Sequence, residues 1–243
     1  MSTPPALCLC QLCANSVPSL TEKLIVDGTD SQAEGNALPI PATAFNLAIK
    51  DGPASGQPVP HLHVHVAPRS PHDLSPDKIY DLIDRWSPAG EPNAPPPFEI
   101  PSDDLRPART EASMGEESRR YGTLIRGLDD VTGTAAALDA PVQFGKFSLT
   151  PAQVFYVSAS GGTYATVNLK PLCPGHVLVI PKRVVPTLAE LSQAEHDELW
   201  QTVREVQAIV LKAYSLRSTM IGVQDGRDAG QSVPHVHVHV LPR

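Results

Sequence analysis

Residues 225–243 read DGRDAGQSVPHVHVHVLPR, and residues 51–69 read DGPASGQPVPHLHVHVAPR. The two stretches align without gaps at an offset of 174 residues and agree at 13 of 19 positions, including every histidine. Chance does not produce such agreement, and the offset is far longer than the period of a solenoid repeat. The simplest explanation is the duplication of one supersecondary unit.

The residues around the second copy predict a compact α+β unit. β-rich runs predict five strands, over residues 153–158, 163–168, 176–180, 218–224 and 235–241. Between the third and fourth of these strands, Ser192 and Glu195 have the spacing of a capping box, and the apolar residues that follow recur at helical spacing. This pattern predicts a long helix over Gln193–Tyr214. The expected fold class is therefore α+β, an antiparallel sheet with one long helix.

The residues around the first copy predict only part of such a unit. Residues 44–50 and 61–67 match the last two strands, whereas residues 1–43 show no counterpart of the three earlier strands or of the long helix. After the motif, helices are expected over Ser75–Trp86 and 109–125, with a proline-rich loop between them. The predicted organisation has four segments: a flexible segment at 1–43, a partial unit at 44–126, a linker at 127–142 and a domain with the main site at 143–243.

Charge and hydropathy exclude several classes of protein. The chain has 19 Lys and Arg against 26 Asp and Glu, a net charge of −7, so no overall basic field recruits nucleic acid. No apolar run approaches the ~20 residues of a membrane helix, and the N-terminus lacks the basic and apolar regions of a secretory signal. We therefore expect no nucleic-acid or membrane partner, and a location in the cytoplasm or the nucleus.

The spacing of the cysteines indicates a reducing compartment. Cys8, Cys10 and Cys13 crowd together and Cys173 stands alone, which argues against a disulfide framework. The first three also have a CxCxxC spacing that can bind zinc, although the sequence shows no obvious fourth ligand. A zinc knuckle and a reduced, unstructured N-terminus are the two alternatives.

The histidines of the motif form a row if the motif is a strand. Alternate residues of a strand face the same side at intervals of roughly 6.6–6.8 Å, so His235, His237 and His239 share one face. A row of imidazoles suits a linear polyphosphate, because one ring can attack phosphorus while the others contact oxygens. A metal site and a merely polar sheet face are the alternatives. Only Asp225 is an obvious further metal ligand, so no metal-binding residues are assigned.

The wider pattern resembles a known superfamily. HVHVHV followed by Leu-Pro-Arg, preceded by QDG and AGQ and with NLKPLCPGHVLVIPKR upstream, is similar to the histidine triad (HIT) superfamily. The third histidine and the Leu-Pro-Arg ending favour its fragile-histidine-triad branch, the diadenosine triphosphate hydrolases. Residues 143–243 resemble the N-terminal two-thirds of that family, and residues 44–125 resemble its C-terminal part placed ahead of it. The resemblance implies a HIT-like antiparallel sheet with a partial second copy of the motif, and a homodimer with sheets joined side by side.

The resemblance also implies a role for each histidine of the second copy. His237 would be the nucleophile that attacks the α-phosphorus and forms a nucleotidyl-imidazole intermediate, from which water releases AMP. His239 would contact the phosphate or the leaving group. His235 would orient the nucleophile through its backbone carbonyl, and His176 would support the row.

Other polar residues are assigned to the substrate by the same resemblance. Gln224 and Gln231 would bind phosphate oxygens and Asn168 a ribose hydroxyl, while Mg²⁺ or Mn²⁺ would neutralise the substrate phosphates. In the first copy, Lys50 stands where the second copy has Gln224. That copy carries a second candidate motif, either vestigial or part of a pseudo-symmetric partner surface, formed by His61, His63 and His65.

The implied function is a nucleotidyl hydrolase that cleaves dinucleoside polyphosphates, diadenosine triphosphate giving AMP and ADP. One alternative is a dinucleotide-binding signalling module with little turnover. Another is a nucleoside phosphoramidate hydrolase, and a third is a metal-dependent protein in which HxHxH supplies ligands.

Overall fold

The strands of the chain form one extended antiparallel sheet in the computed structural model, which describes residues 42–71, 73 and 105–243. In chain order the strands are β1 (Ala44–Asp51), β2 (His65–Arg69), β3 (Thr134–Ala135), β4 (Val142–Phe144), β5 (Phe147–Leu149), β6 (Val154–Val157), β7 (Thr163–Val167), β8 (Val177–Pro181), β9 (Thr219–Asp225) and β10 (Val238–Pro242). The two α-helices are α1 (Glu111–Ile125) and α2 (Gln193–Tyr214). Eight strands lie in the order β2-β1-β9-β10-β8-β7-β6-β3, and β4 and β5 form a separate hairpin. The predicted α+β class, with an antiparallel sheet and a long helix, is confirmed.

The long helix α2 has the bounds that the sequence predicts. The Ser192 hydroxyl accepts a hydrogen bond from the backbone N–H of Glu195, and the Glu195 carboxylate accepts one from the backbone N–H of Ser192. This capping box satisfies amide groups that the first turn of a helix leaves without intrahelical partners. Leu199, Val203 and Val206 are fully buried, so one face of α2 packs into the core.

The sheet buries apolar side chains on both faces. Val223 and Val238 belong to the core that includes α2, whereas Leu178 and Ile180 pack on the opposite face with Phe144 of the β4–β5 hairpin. The valines of the motif belong to the core that includes α2, whereas the rings of His235 and His237 lie against Phe144 of the hairpin. The histidine row therefore lies on the face opposite to α2.

The first copy of the motif continues the sheet of the second copy. β1 pairs antiparallel with β9, and Ala48 lies opposite Gly222, its equivalent 174 residues further on. The register within each copy is also the same, because Ala48 pairs with His65 and Gly222 pairs with His239. A local twofold axis perpendicular to the sheet therefore passes between Ala48 and Gly222 and relates the two copies.

The motif strands begin later than the sequence predicts. β10 starts at Val238 rather than at His235, and β2 starts at His65 rather than at His61. In the second copy the cause is visible, because the backbone N–H of Val236 donates to the carbonyl of Val185 at 2.7 Å instead of to a strand neighbour. The first two histidines of each copy consequently lie in an irregular segment just before the strand.

The sequence pattern does not predict the β4–β5 hairpin or the edge strand β3, which are too short to show an alternation. β3 lies within residues 127–142, predicted as a linker, and the loop before it is tied to α2 by Glu205. The buried Glu205 carboxylate accepts hydrogen bonds from Thr132, Gly133 and Tyr156. Burial raises the pKa of Glu205, but the hydrogen bonds it receives bring the net shift below the ordinary value.

Several sequence predictions lie outside the described residues. These are the helix over Ser75–Trp86, most of the proline-rich loop, and the cluster of Cys8, Cys10 and Cys13. They stay predictions, as do the bounds of the four predicted segments. The helix predicted over 109–125 is present as α1. Within the part of the chain that the structure describes, no helix combines the length and apolar character needed to cross a membrane.

Candidate active site

His235 is fully buried, and both of its ring nitrogens are hydrogen-bonded. Its Nε2 lies 2.8 Å from the carbonyl oxygen of Pro181 and 3.1 Å from that of Arg183, so Nε2 carries the proton and donates it. Its Nδ1 then accepts a hydrogen bond from the backbone N–H of Gly145 at 3.0 Å. Burial lowers the pKa of His235, and the two carbonyls partly offset that effect. Because neither nitrogen is open, His235 contributes position rather than proton transfer.

His237 is held by the backbone of His235. Its Nδ1 lies 2.7 Å from the carbonyl oxygen of His235 and must donate, so a neutral ring keeps its lone pair on Nε2. Burial lowers the pKa of His237 to about 4, so the ring is neutral at pH 7. The ring of Phe144 meets it edge to face, with centroids 5.2 Å apart. These contacts leave Nε2 of His237 as the nitrogen available for chemistry.

A second series of hydrogen bonds fixes His239. The backbone N–H of Leu172 donates to Nδ1 of His176 at 3.0 Å, so His176 carries its proton on Nε2 and donates it to Nδ1 of His239 at 2.9 Å. Burial lowers the pKa of His176 to about 3 and that of His239 well below its ordinary value, so both rings are neutral at pH 7. Neutral His239 therefore holds its proton on Nε2, a buried atom with no hydrogen-bond partner among the described residues. A buried donor without an acceptor costs about 1–3 kcal/mol, so an acceptor oxygen brought by a ligand would be favourable at this atom.

The predicted substrate-binding residues lie on the same side of the sheet as the row. The side-chain amide of Asn168 is 3.2 Å from Nε2 of His176. Gln231 donates to the carbonyl of Pro186 at 2.7 Å, in the turn that leads to the motif. Gln224, on β9, points away from α2 because its neighbour Val223 belongs to the α2 core. The structure thus brings these residues together with the histidines, and their individual roles stay predictions.

Two contributors to the site have no signature in the sequence pattern. Gly145 supplies a backbone donor to His235 from the tight β4–β5 turn, where its φ is 57°. Arg106, which precedes α1, donates to the carbonyl of Lys170 at 2.9 Å, and its charge adds to burial in lowering the pKa of His176. Only the packing of α1 beside the sheet brings that charge to the histidines.

The hydrogen bonds that the ring nitrogens already make do not fit a metal centre. Both nitrogens of His235 are used by backbone groups, and Nδ1 of His237 and of His239 are used as well. Across residues 42–71, 73 and 105–243, no group of three or more His, Cys, Asp or Glu is arranged to hold a metal ion. The row is therefore built for contact with an organic or phosphate ligand rather than for chelation.

The first copy keeps part of this geometry. Nδ1 of His63 donates to the carbonyl of His61 at 2.8 Å, as His237 does to His235. The rings of His63 and His65 meet nearly at right angles, with centroids 5.1 Å apart. His61 is exposed and the other two are half-buried. The structure therefore places two histidine rows on one sheet, and the first two histidines are buried only in the second copy.

The fold and the site together define an α+β protein with a buried row of backbone-fixed histidines leading into its last strand. The model of the family described as "HIT domain" matches residues 23–72 and 150–243, more than half of the chain. The chain therefore belongs to the HIT domain family. The match includes both copies of the motif, and in the first copy it begins ahead of the described residues.

Named relatives resemble about two fifths of the chain. The chain is 51% identical over 100 residues to the asymmetrical bis(5'-nucleosyl)-tetraphosphatase of Schizosaccharomyces pombe. The matched region covers 41% of this chain and 53% of that protein. The chain is also 45% identical over 100 residues to the bifunctional bis(5'-adenosyl)-triphosphatase/adenylylsulfatase FHIT of Arabidopsis thaliana, covering 41% of this chain and 54% of that protein. The chain thus spans about half the length of these relatives.

Two solved structures are also similar. The C. elegans NitFhit protein is 38% identical with a TM-score of 0.44, covering 53% of this chain and 32% of that chain. The Plasmodium falciparum diadenosine triphosphate hydrolase in complex with cyclomarin A is 26% identical with a TM-score of 0.44, covering 51% of this chain and 81% of that chain.

Proposed function

We propose that the chain acts as a nucleotidyl hydrolase on dinucleoside polyphosphates and converts diadenosine triphosphate to AMP and ADP. The observation that carries the proposal is the pair of Nε2 atoms at the centre of the row. Nε2 of His237 has a lone pair, and Nε2 of His239 has a buried proton without an acceptor among the described residues. The two rings are neighbours, with centroids 5.0 Å apart. Relatives named as bis(5'-nucleosyl) and bis(5'-adenosyl) hydrolases support the substrate class.

The reaction proceeds in two displacements at the α-phosphorus. Nε2 of His237 attacks, a P–N bond forms, and the bond to the bridging oxygen breaks so that ADP leaves. The Nε2 proton of His239 donates a hydrogen bond to the phosphate or to the leaving oxygen. Water then attacks the same phosphorus, the P–N bond breaks, AMP leaves and the proton of the water passes to solvent.

The carbonyl of His235 has a separate task during the first displacement. Positive charge develops on the His237 ring as its Nε2 bonds to phosphorus. The Nδ1 proton then becomes more acidic, so its hydrogen bond to the carbonyl, 2.7 Å long before reaction, grows stronger. The backbone thereby stabilises the intermediate without a carboxylate partner.

A divalent cation, the assembly and the cellular location are further parts of the proposal. Mg²⁺ or Mn²⁺ would bind the substrate phosphates and neutralise part of their charge. The HIT resemblance supports a homodimer, and we propose the cytoplasm or the nucleus as its location.

Replacement of His237 by asparagine tests the proposal. The amide of His237→Asn can still donate to the His235 carbonyl in place of Nδ1, but it offers no nucleophile at the position of Nε2. Turnover of diadenosine triphosphate should fall by at least about 10³-fold. Initial rates by chromatography of AMP and ADP measure this, and His61→Asn, at an exposed ring outside the enclosed row, is the matched control.

A panel of substrates and an acid quench separate the proposal from its alternatives. The unaltered chain should accumulate an adduct of the mass of an AMP residue, detected by intact mass spectrometry, and His237→Asn should not. Faster turnover of adenosine 5'-phosphoramidate than of any dinucleotide would reassign the chain as a phosphoramidate hydrolase. Tight dinucleotide binding with no product over hours would make it a binding module. Full activity in His237→Asn excludes the mechanism.

A further inference from the structure

The first copy reproduces the backbone of the turn that precedes the main histidine row. Gly52 has a φ of 92° and Gly226 a φ of 97°, while Gly56 and Gly230 have φ values of 76° and 90°. A 3₁₀ turn lies between the two glycines in each copy. Because side chains resist these positive φ values, the glycines hold the two turns in the same conformation.

The first copy also reproduces the hydrogen bonds that orient the central histidine. Nδ1 of His63 donates to the carbonyl of His61 at 2.8 Å, which leaves the lone pair of a neutral ring on Nε2. The side chain of Gln57 donates to the same carbonyl at 3.2 Å, as Gln231 does to that of His235 at 3.5 Å. His63 is therefore presented in the same way as the nucleophile of the main row.

A lysine replaces a glutamine beside this first row. Lys50 lies at the position equivalent to Gln224, and its side chain is 1% exposed. Its Nζ lies beside Gly56, 3.5 Å from the position that a Cβ atom would occupy on that glycine. Burial, then the neighbouring His63 ring and the Lys50 charge, lower the pKa of His65. Lys50 lies two residues along β1 from Ala48, which pairs with His65, so the side chains of Lys50 and His65 share one face of the sheet. The second copy has a neutral glutamine at the equivalent position.

The described part of the first copy is smaller than the unit around the main row. Its described part contains no counterpart of Asn168, of His176 or of the turn at Gly145. In the main site these residues lie on β4–β5 and on the segment between β7 and β8. The elements that remain in the described part of the first copy are the glycine turn and the histidine motif, whose counterparts in the second copy we propose to bind phosphate.

We propose that the first copy is a second oligophosphate-binding site, which takes a phosphate chain without selecting a nucleoside and does not hydrolyse it. The ligand contacts are the imidazoles of His63 and His65 and the ammonium group of Lys50. The inference rests on the proposed phosphate binding by the equivalent row of the second copy. We expect no turnover because the described part of the first copy contains no counterpart of the His176 ring that donates to His239.

Inorganic tripolyphosphate is the probe for this site. Imidazole ¹H–¹⁵N correlations of the unaltered full-length chain, with signals assigned from His63→Asn and His65→Asn spectra, should show saturable shifts of both rings. In calorimetry, His63→Asn and Lys50→Gln should each weaken one of two binding events by about tenfold or more, the usual effect of losing a charge-assisted contact. Glutamine is the residue that the second copy carries at the position of Lys50, so the fold accommodates it.

Matched controls separate a built site from general attraction of anions. His61→Asn removes a ring that the site does not use, and Lys212→Gln removes an equal charge from the exposed surface of α2. Each should change the affinity less than about twofold. Equal weakening by Lys50→Gln and Lys212→Gln would overturn the proposal, as would His63 signals that stay unchanged at saturating tripolyphosphate.

Two further outcomes define the ligand and keep this proposal independent of the main site. AMP should bind the first copy no more tightly than inorganic phosphate, and a tenfold preference for AMP would overturn the claim that no nucleoside is selected. Binding is read from the His63 and His65 signals, whereas the proposed hydrolysis is read from products. A chain that shifts those signals but forms no AMP would sustain this site and contradict the hydrolase.

Discussion

The proton positions of the imidazoles are set by backbone groups at the scale of single residues. The carbonyl of His235 forces the proton of His237 onto Nδ1, and the N–H of Leu172 forces that of His176 onto Nε2. Among the described residues, no carboxylate hydrogen-bonds to any ring of the main row or to His176. Burial therefore lowers the pKa of these histidines without a nearby negative charge to offset it. His237, the proposed nucleophile, is consequently neutral without an acidic partner among the described residues.

The low pKa of His237 predicts how kcat/KM changes as the pH falls. Its value of about 4 lies below the ordinary 6.5, so Nε2 stays unprotonated down to about pH 4. The value of kcat/KM should therefore stay nearly constant from about pH 7 to about pH 5 and fall only below that range. Initial rates between these pH values, with circular dichroism to show that the chain is folded, measure this change. A loss of activity centred near the ordinary histidine value would contradict the neutral, buried nucleophile.

At the scale of elements, strand β1 of the first copy supports the turn that leads to the main row. Asn46 is fully buried, donates to the carbonyl of Ala229 at 3.0 Å and accepts from Arg69 at 2.6 Å. Arg69 is in turn paired with Asp73 at 2.8 Å. Ala229 ends the 3₁₀ turn just before Gln231. The first copy thus takes part in the framework of the second copy's site.

Removal of the Asn46 side chain should weaken both the fold and the site. Asn46→Ala leaves the Ala229 carbonyl and the Arg69 guanidinium without this partner, which should cost about 1–3 kcal/mol in the free energy of unfolding. We also expect a several-fold rise in KM with a smaller change in kcat, because the turn that carries Gln231 becomes less well placed. Urea unfolding and steady-state kinetics measure these effects.

An isosteric variant refines this prediction. Asn46→Asp keeps an acceptor for Arg69 but cannot donate to Ala229, so its rise in KM should match that of Asn46→Ala while its stability falls less. Unchanged kinetics in both variants would show that the first copy does not support the site.

At the scale of the whole molecule, both copies share one sheet, and the local twofold axis puts their histidine rows on the same face. β1 covers the edge of β9, so the edges that remain among the described strands belong to β2 and β3. A homodimer with sheets joined side by side would have to extend the sheet from one of these strands. The homodimer stays a prediction.

The buried histidines make the stability of the whole chain depend on pH. In the unfolded chain they titrate near 6.5, whereas burial lowers the pKa of His176 to about 3 and of His237 to about 4, and that of His239 well below its ordinary value. The unfolded state binds more protons between these values, so stability is complete above pH 6.5 and is lost as the pH falls toward about 4. His237→Asn should reduce the slope of the free energy of unfolding against pH by up to about 1.4 kcal/mol per pH unit in this range. Urea unfolding at successive pH values measures the slope, and identical slopes would contradict the burial of a neutral ring.

Local patterns in the sequence predict most of the second unit, because its elements carry strong local preferences. The capping box and apolar spacing predict α2 with its observed bounds, and the runs of β-branched and aromatic residues predict β6 to β9 to within two residues. The repeated motif identifies both histidine rows, since residue identity alone marks them. The short β3, β4 and β5 escape prediction because two or three residues show no periodicity.

The sequence by itself determined the fold class, the long helix and the duplicated motif whose histidines we propose as the site of the chemistry. The tertiary structure decided which nitrogen of each histidine is free, because that depends on carbonyl and N–H groups of Pro181, Leu172 and Gly145 that have no side-chain signature. It also decided that the first copy joins the second through β1 and β9. Strand pairing uses backbone groups that every sequence offers, so only the packing of the folded chain selects the partner.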